Sequence, residues 1–161
     1  MKIMRRTKRS FLGAMAAAFA GGGGTASAPA RAYEIDRGSV HWRRRLSAEQ
    51  FRVLRRGGTE PPFASPLLKE NRIGMFSCAG CGLGLFSSAT KFESGTGWPS
   101  FWQPLDGAVA MHADATGHMR NEVHCRRCGG HLGHVFDDGP KPTGLRYCMN
   151  GVALEFAPDE G

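Results

Sequence analysis

Five cysteines fall into two kinds. Cys78 and Cys81 are two residues apart, as are Cys125 and Cys128, and Cys148 stands alone. A C-x-x-C turn lets two thiolates converge on one ion, and two such turns supply a full tetrahedral set. Four thiolates leave no open coordination position. The expected ion is therefore a structural zinc, one per chain, joining two distant turns. The alternatives for these pairs are disulfides in an oxidising compartment or a thiol–disulfide redox centre. A redox C-x-x-C opens a helix, and neither pair here precedes a helical pattern.

Cys148 follows closely on His131, His134 and Asp138. A lone cysteine often serves as a small buried hydrophobe. Two imidazoles three residues apart beside a carboxylate change that balance, because the nucleophile is the thiolate and it forms beside cationic or hydrogen-bonding groups. Arg146 and the two histidines could supply them, so Cys148 is expected ionised beside imidazoles. A third segment, residues 95–102, combines Gly95, Gly97 and Pro99 with Trp98, Phe101 and Trp102. Its rings either pack in the core or line a slot for a thioether-like group, whose sulfur favours a ring edge.

The elements that must position these groups are short. Residues 33–45 read as a polar arm. Ser47 with Gln50 three residues on forms a capping box, Leu46 and Phe51 a hydrophobic staple, and Gly57 a C-terminal cap for a helix ending near Arg56. Extended patterns lead into and out of the first C-x-x-C, run from His118 into the second, and alternate through Val152, Leu154 and Phe156. The fold expected is mainly β with a short N-terminal helical piece.

The chain has 161 residues and a formal charge of +7. Residues 1–32 hold six basic side chains and no acidic one, leaving 15 basic against 14 acidic in the remainder. The basicity thus belongs to the leader and gives no reason to expect a nucleic-acid partner. A basic start, an apolar stretch over 11–20 and small residues with A-x-A sites read as an export signal. The stretch is too short for a membrane anchor. Residues 7–13 resemble the twin-arginine motif with Lys8 in the first arginine position. The expectation is a signal over 1–32, export to a bacterial periplasm, and a monomeric single domain over 33–161.

Together, residues 58–63, 94–101, 131–140 and 143–150 resemble the B-type methionine sulfoxide reductases, in order and over about residues 40–158. The resemblance implies two antiparallel sheets with peripheral helices, and a zinc at Cys78, Cys81, Cys125 and Cys128. It implies that Cys148 attacks the sulfoxide sulfur of the R epimer, in oxidised protein or as methionine sulfoxide. His131, His134 and Asp138 match site acids and orienting groups, and Arg146 and Asn150 match residues that hold the nucleophile. Trp98 matches the ring that receives the substrate methyl, with Phe101 beside it. Many members carry a resolving cysteine where this chain has Thr96, so an external thiol, thioredoxin-like or small, is the expected reductant. The rival reading is a zinc-knuckle binding module, which leaves Cys148 and the histidines without a task.

Overall fold

The computed structural model describes residues 33–113 and 121–160. The proposed leader and His118 lie outside them. Helix α1 spans Ser39–Arg45 and α2 spans Ala48–Arg56. The first replaces part of the expected polar arm. It forms because Trp42 drops into the core while the arginines around it stay in water. A helix this short is held by packing more than by propensity. α2 starts on the expected capping box: Gln50 N donates to Ser47 Oγ, and Ser47 N donates to Gln50 Oε1. Gly57 ends it in the left-handed conformation. Phe51, Val53 and Leu54 are buried, and the Arg55 guanidinium lies 3.7 Å over the Trp42 ring, tying the helices together. Among the described residues no helix is long and apolar enough to cross a membrane.

The rest is mainly β. The strands are β1 Gly74–Cys78, β2 Gly84–Ser87, β3 Lys91–Phe92, β4 Ser100–Phe101, β5 Val109–Ala113, β6 Asn121–Cys125, β7 His131–Phe136, β8 Arg146–Met149 and β9 Leu154–Pro158. They form two antiparallel sheets, ordered β2-β1-β9 and β3-β4-β8-β7-β6-β5. Val152, expected on the last strand, sits instead in a 3-10 turn over Gly151–Ala153.

Aromatic rings join the sheets. Phe76 and Phe86 are cross-strand partners on the small sheet, and Phe101 and Tyr147 are partners on the large one. Phe86 stacks on Phe101 at 4.4 Å, Phe76 meets it edge-on at 5.0 Å, and Phe86 lies 5.9 Å from Tyr147. Burying each ring is worth roughly 1.5–3 kcal/mol. This joint decides the site. With Tyr147 turned into the core, strand alternation turns Arg146 and Cys148 to the opposite face.

Candidate active site and metal cluster

The two C-x-x-C turns meet between the sheets. One links β1 to β2 and the other links β6 to β7. Both are closed by glycine in the left-handed region, Gly82 and Gly129, where a side chain would be strained. Cys78 Sγ lies 3.8 Å from Cys128 Sγ, and Cys81 Sγ lies 3.5 Å from Cys125 Sγ. All four sulfurs fall within 4.8 Å of one another. Sulfurs bound at about 2.3 Å to one tetrahedral ion sit roughly 3.8 Å apart, so the spacing fits a single metal ion. A charge argument agrees. Arg55 donates to the Cys128 carbonyl but leaves Nε and Nη2 buried without partners. A tetrathiolate centre with net negative charge would offset that guanidinium. Arg45 donates to the Gly80 carbonyl, so both helices clasp the turns. The clustering leaves neither C-x-x-C as a separate redox pair.

Cys148 lies on the other face. Ser100 and His134 flank it as cross-strand partners on β4 and β7. The row continues through Glu122 on β6 to His112 on β5, so register alone lines up five polar side chains. Gly133 must be glycine, because a Cβ there would strike the Cys148 carbonyl. Thr59, Trp98, Gly133, His134, Phe136, Cys148 and Asn150 line a cavity of about 140 Å³. Larger grooves of about 910, 760 and 410 Å³ lie elsewhere, and no cysteine or histidine lines them.

A match to the SelR domain covers residues 46–158. The peptide methionine sulfoxide reductase MsrB of Leptospira interrogans is 52% identical over 77% of this chain and 96% of its own length. The proteins of the same name from Agrobacterium fabrum and Methanosarcina mazei are 49% and 50% identical, over 78% and 79% of this chain and 94% and 92% of their own. The chain belongs to the SelR-domain family, that of the MsrB proteins. A solved Mis18 "Yippee-like" domain is similar over 56% of the chain, with 16% identity and a TM-score of 0.44.

In this MsrB-family site the expected residues divide by task. Asp138 does not reach the cavity. It takes two 2.8 Å hydrogen bonds from Arg146 and is largely solvent-exposed, so it orients the guanidinium, which also lies 4.3 Å over Phe136. Asn150 is a clamp. Its Oδ1 accepts from Glu60 N and its Nδ2 donates to the Leu132 carbonyl, locking the end of β8 against β7. His131 is buried, with Nδ1 in contact with Glu122, and its ring is 5.5 Å from His134.

Two expectations are corrected. Phe101 is not a substrate ring. It is fully buried in the inter-sheet stack, because its partner Tyr147 faces the core. Phe136 lines the cavity instead. Nor is the resting Cys148 an ionised thiol. Burial pushes it above the usual thiol range, and that outweighs the pull of Thr96, Arg146 and Ser100 in the other direction. Alkylation of Cys148 in the folded, substrate-free protein should therefore be slow at neutral pH and rise about tenfold per pH unit between 7 and 9. A rate that is already flat across that window would contradict a protonated thiol.

Glu60 lies in one of the matching segments, where nothing in the sequence singles it out, yet it positions two site residues. Its buried carboxylate accepts from Gly151 N and Val152 N, its own N–H reaches Asn150, and its carbonyl accepts from Trp98 Nε1 at 3.2 Å. One residue thus fixes both Trp98 and Asn150. Burial raises its carboxyl above the usual range, with the two backbone N–H groups opposing. Glu60→Gln leaves one of those N–H groups without its carboxylate, at a cost of about 1–3 kcal/mol. Thermal unfolding should drop by a few degrees and kcat/KM should fall as the weakened anchor lets the Glu60 backbone shift, and with it the carbonyl that holds Trp98, with metal content unchanged.

Proposed function

We propose that this MsrB-family oxidoreductase reduces methionine-(R)-sulfoxide in oxidised proteins by nucleophilic attack of Cys148 on sulfur. The observation that carries the reading is a nucleophile opening into a small apolar-walled cavity, with an imidazole directly opposite on the next strand. A cavity of about 140 Å³ suits the methylsulfinyl end of a side chain, leaving the rest of the peptide outside. Trp98 and Phe136 offer ring surface to the methyl group and sulfur.

The protonated thiol carries a proton that the reaction uses. A sulfoxide oxygen leaves only once protonated. With substrate in place, the Cys148 proton passes to the sulfoxide oxygen, with His134 as the group that moves it. Arg146 stabilises the thiolate so formed. Sγ bonds to the sulfur of the protonated sulfoxide. The hydroxyl oxygen then bonds to Sγ as its bond to the substrate sulfur and the new sulfur–sulfur bond both break. Methionine departs with its sulfur reduced, and Cys148 is left oxidised as sulfenic acid. His131 stands behind His134. Burial holds it below the usual imidazole range, even against the pull of Glu122, so it is neutral at physiological pH. Its part is to set the orientation of its neighbour.

The four clustered cysteines hold a structural zinc, which braces the fold and takes no part in the steps above. Thr96 Oγ1 lies 3.8 Å from the Cys148 sulfur, and the other cysteines are engaged in the cluster, so no internal thiol resolves the sulfenic acid. An external thiol, thioredoxin-like or small, forms a mixed disulfide with loss of water, and a second thiol releases Cys148. We further propose that residues 1–32 direct export to a periplasm.

The test is turnover of each sulfoxide epimer by the mature protein with dithiothreitol. Reduction of the R epimer is expected, and no turnover of either would overturn the reading. Mass spectrometry after one turnover without reductant should find sulfenic acid at Cys148. In Thr96→Cys the same experiment should give an intramolecular disulfide to Cys148. A disulfide from Cys148 to a cluster cysteine in the unaltered protein would contradict the cysteine assignment.

A further inference from the structure

On the face that carries Cys148, two strands away, lies a second cluster of ligating atoms. Glu122 comes from near the start of β6, His124 from two residues further along the same strand, and His131 from the start of β7. A register irregularity between Val123 and His124 brings them together. Val123 pairs with Gly133, but His124 pairs with His131, leaving Leu132 as an extra residue. One ligand atom from each of the three falls within 4.8 Å of the others. His124 Nε2 is 3.2 Å from one Glu122 oxygen, and His131 Nδ1 contacts the other.

Both ring nitrogens of His124 face acceptors, an arrangement that suits an imidazole binding a cation through one of them. Its Nδ1 faces the Gly129 carbonyl at 3.2 Å, and its Nε2 faces the Glu122 carboxylate. Both partners are acceptors, whereas a neutral imidazole has one N–H. With Nδ1–H donated to the carbonyl, as metal-bound histidines commonly do, the Nε2 lone pair points at a carboxylate. That arrangement repels unless a positive charge lies between. Two ligand atoms bound at about 2.0–2.1 Å to one tetrahedral ion sit roughly 3.3 Å apart, close to the 3.2 Å between His124 Nε2 and Glu122. The shorter His131–Glu122 contact has to open to admit the ion.

His131 also has an unsettled nitrogen, since its Nε2 is buried without a partner. Burial disfavours charge on Glu122, but its contacts with the two histidines outweigh that and hold the carboxyl below its usual range. Glu122 and His124 are partly exposed, which gives an ion a way in from solvent.

We propose that Glu122, His124 and His131 form a second metal site, separate from the four-cysteine cluster. It takes a divalent cation of the zinc class through two imidazole nitrogens and one carboxylate oxygen. Binding requires His131 to move its proton from Nδ1 to the unpartnered Nε2, so no net proton is released there. The site lies one imidazole away from the catalytic pocket, because the His131 and His134 rings are 5.5 Å apart.

The experiment is equilibrium dialysis of the full chain, first loaded with one zinc at the cysteine cluster, against buffered micromolar Zn2+. It is done in the Cys148→Ser background, so that the nucleophilic thiol cannot take the ion. The expected result is a second equivalent per chain. His124→Gln should weaken it at least about tenfold while the first equivalent stays, and Glu122→Gln should do the same. His41→Gln, at an exposed histidine outside the cluster, should retain both equivalents. Side-chain nitrogen NMR of the parent protein should show His124 and His131 shifting on addition of the second equivalent. Uptake of a single equivalent, which would mean that a proton and not a cation satisfies His124, overturns the proposal. So does a second equivalent that survives both substitutions.

Discussion

Replacing Cys148 with serine should cut sulfoxide reduction by on the order of 10⁴-fold or more, the scale of loss when an enzyme's nucleophile is removed. The oxygen is nearly isosteric but binds its proton far more tightly and is a poorer nucleophile toward sulfur. Little else should change. The Cys148 side chain faces away from the inter-sheet core and takes no part in the four-sulfur cluster. Melting temperature and metal content should therefore match those of the parent. Steady-state assay on the R epimer, together with metal analysis, checks both halves. Residual activity within tenfold of the parent would remove Cys148 from the chemistry and favour the reading of the fold as a zinc-knuckle binding module.

Breaking the sulfur cluster should have the opposite signature, with loss of structure first and of activity only in consequence. Cys125 is fully buried and its sulfur lies 3.5 Å from that of Cys81. In Cys125→Ser the fourth thiolate is gone, and the turns that join β1 to β2 and β6 to β7 lose their common anchor. Structural zinc contributes apparent binding energies of about 10–16 kcal/mol in small zinc domains. A whole domain is stable by only about 5–15 kcal/mol. The expected outcome is loss of bound metal, loss of cooperative unfolding and no turnover at 37 °C. Strong chelators should reproduce it on the parent chain. A metal-free variant that still melts cooperatively near the parent temperature would show that the aromatic joint of Phe76, Phe86, Phe101 and Tyr147 holds the sheets unaided.

Much of this site is legible in the sequence because its parts are local. The spacing of Cys78–Cys81 and Cys125–Cys128, each followed by glycine, is a property of a tight turn, and a turn is built by adjacent residues. The same holds for the capping box at Ser47 and Gln50 and for the left-handed cap at Gly57. Cys148 stood out by elimination, since the other four cysteines came in pairs. Part of the expected polar arm is helical because α1 depends on one side chain, Trp42, finding a distant core, and nothing local announces that.

By itself, then, the sequence determined which groups carry chemistry and how each turn closes, since those depend on residue type and on neighbours a few positions away. Which face each group occupies was decided only by the tertiary structure. Trp98 and Phe101 read alike as aromatic residues of one motif, but pairing with Tyr147 sends Phe101 into the core. His131 and His134, three apart on a strand, would alternate to opposite faces, and the extra residue at Leu132 brings them onto one. Ionisation of Cys148 also had to wait for the fold. Arg146, Thr96 and Ser100 do draw its proton away, but the depth of burial outweighs them. Burial is summed over every element packed around the sulfur, so no single stretch of the chain encodes it.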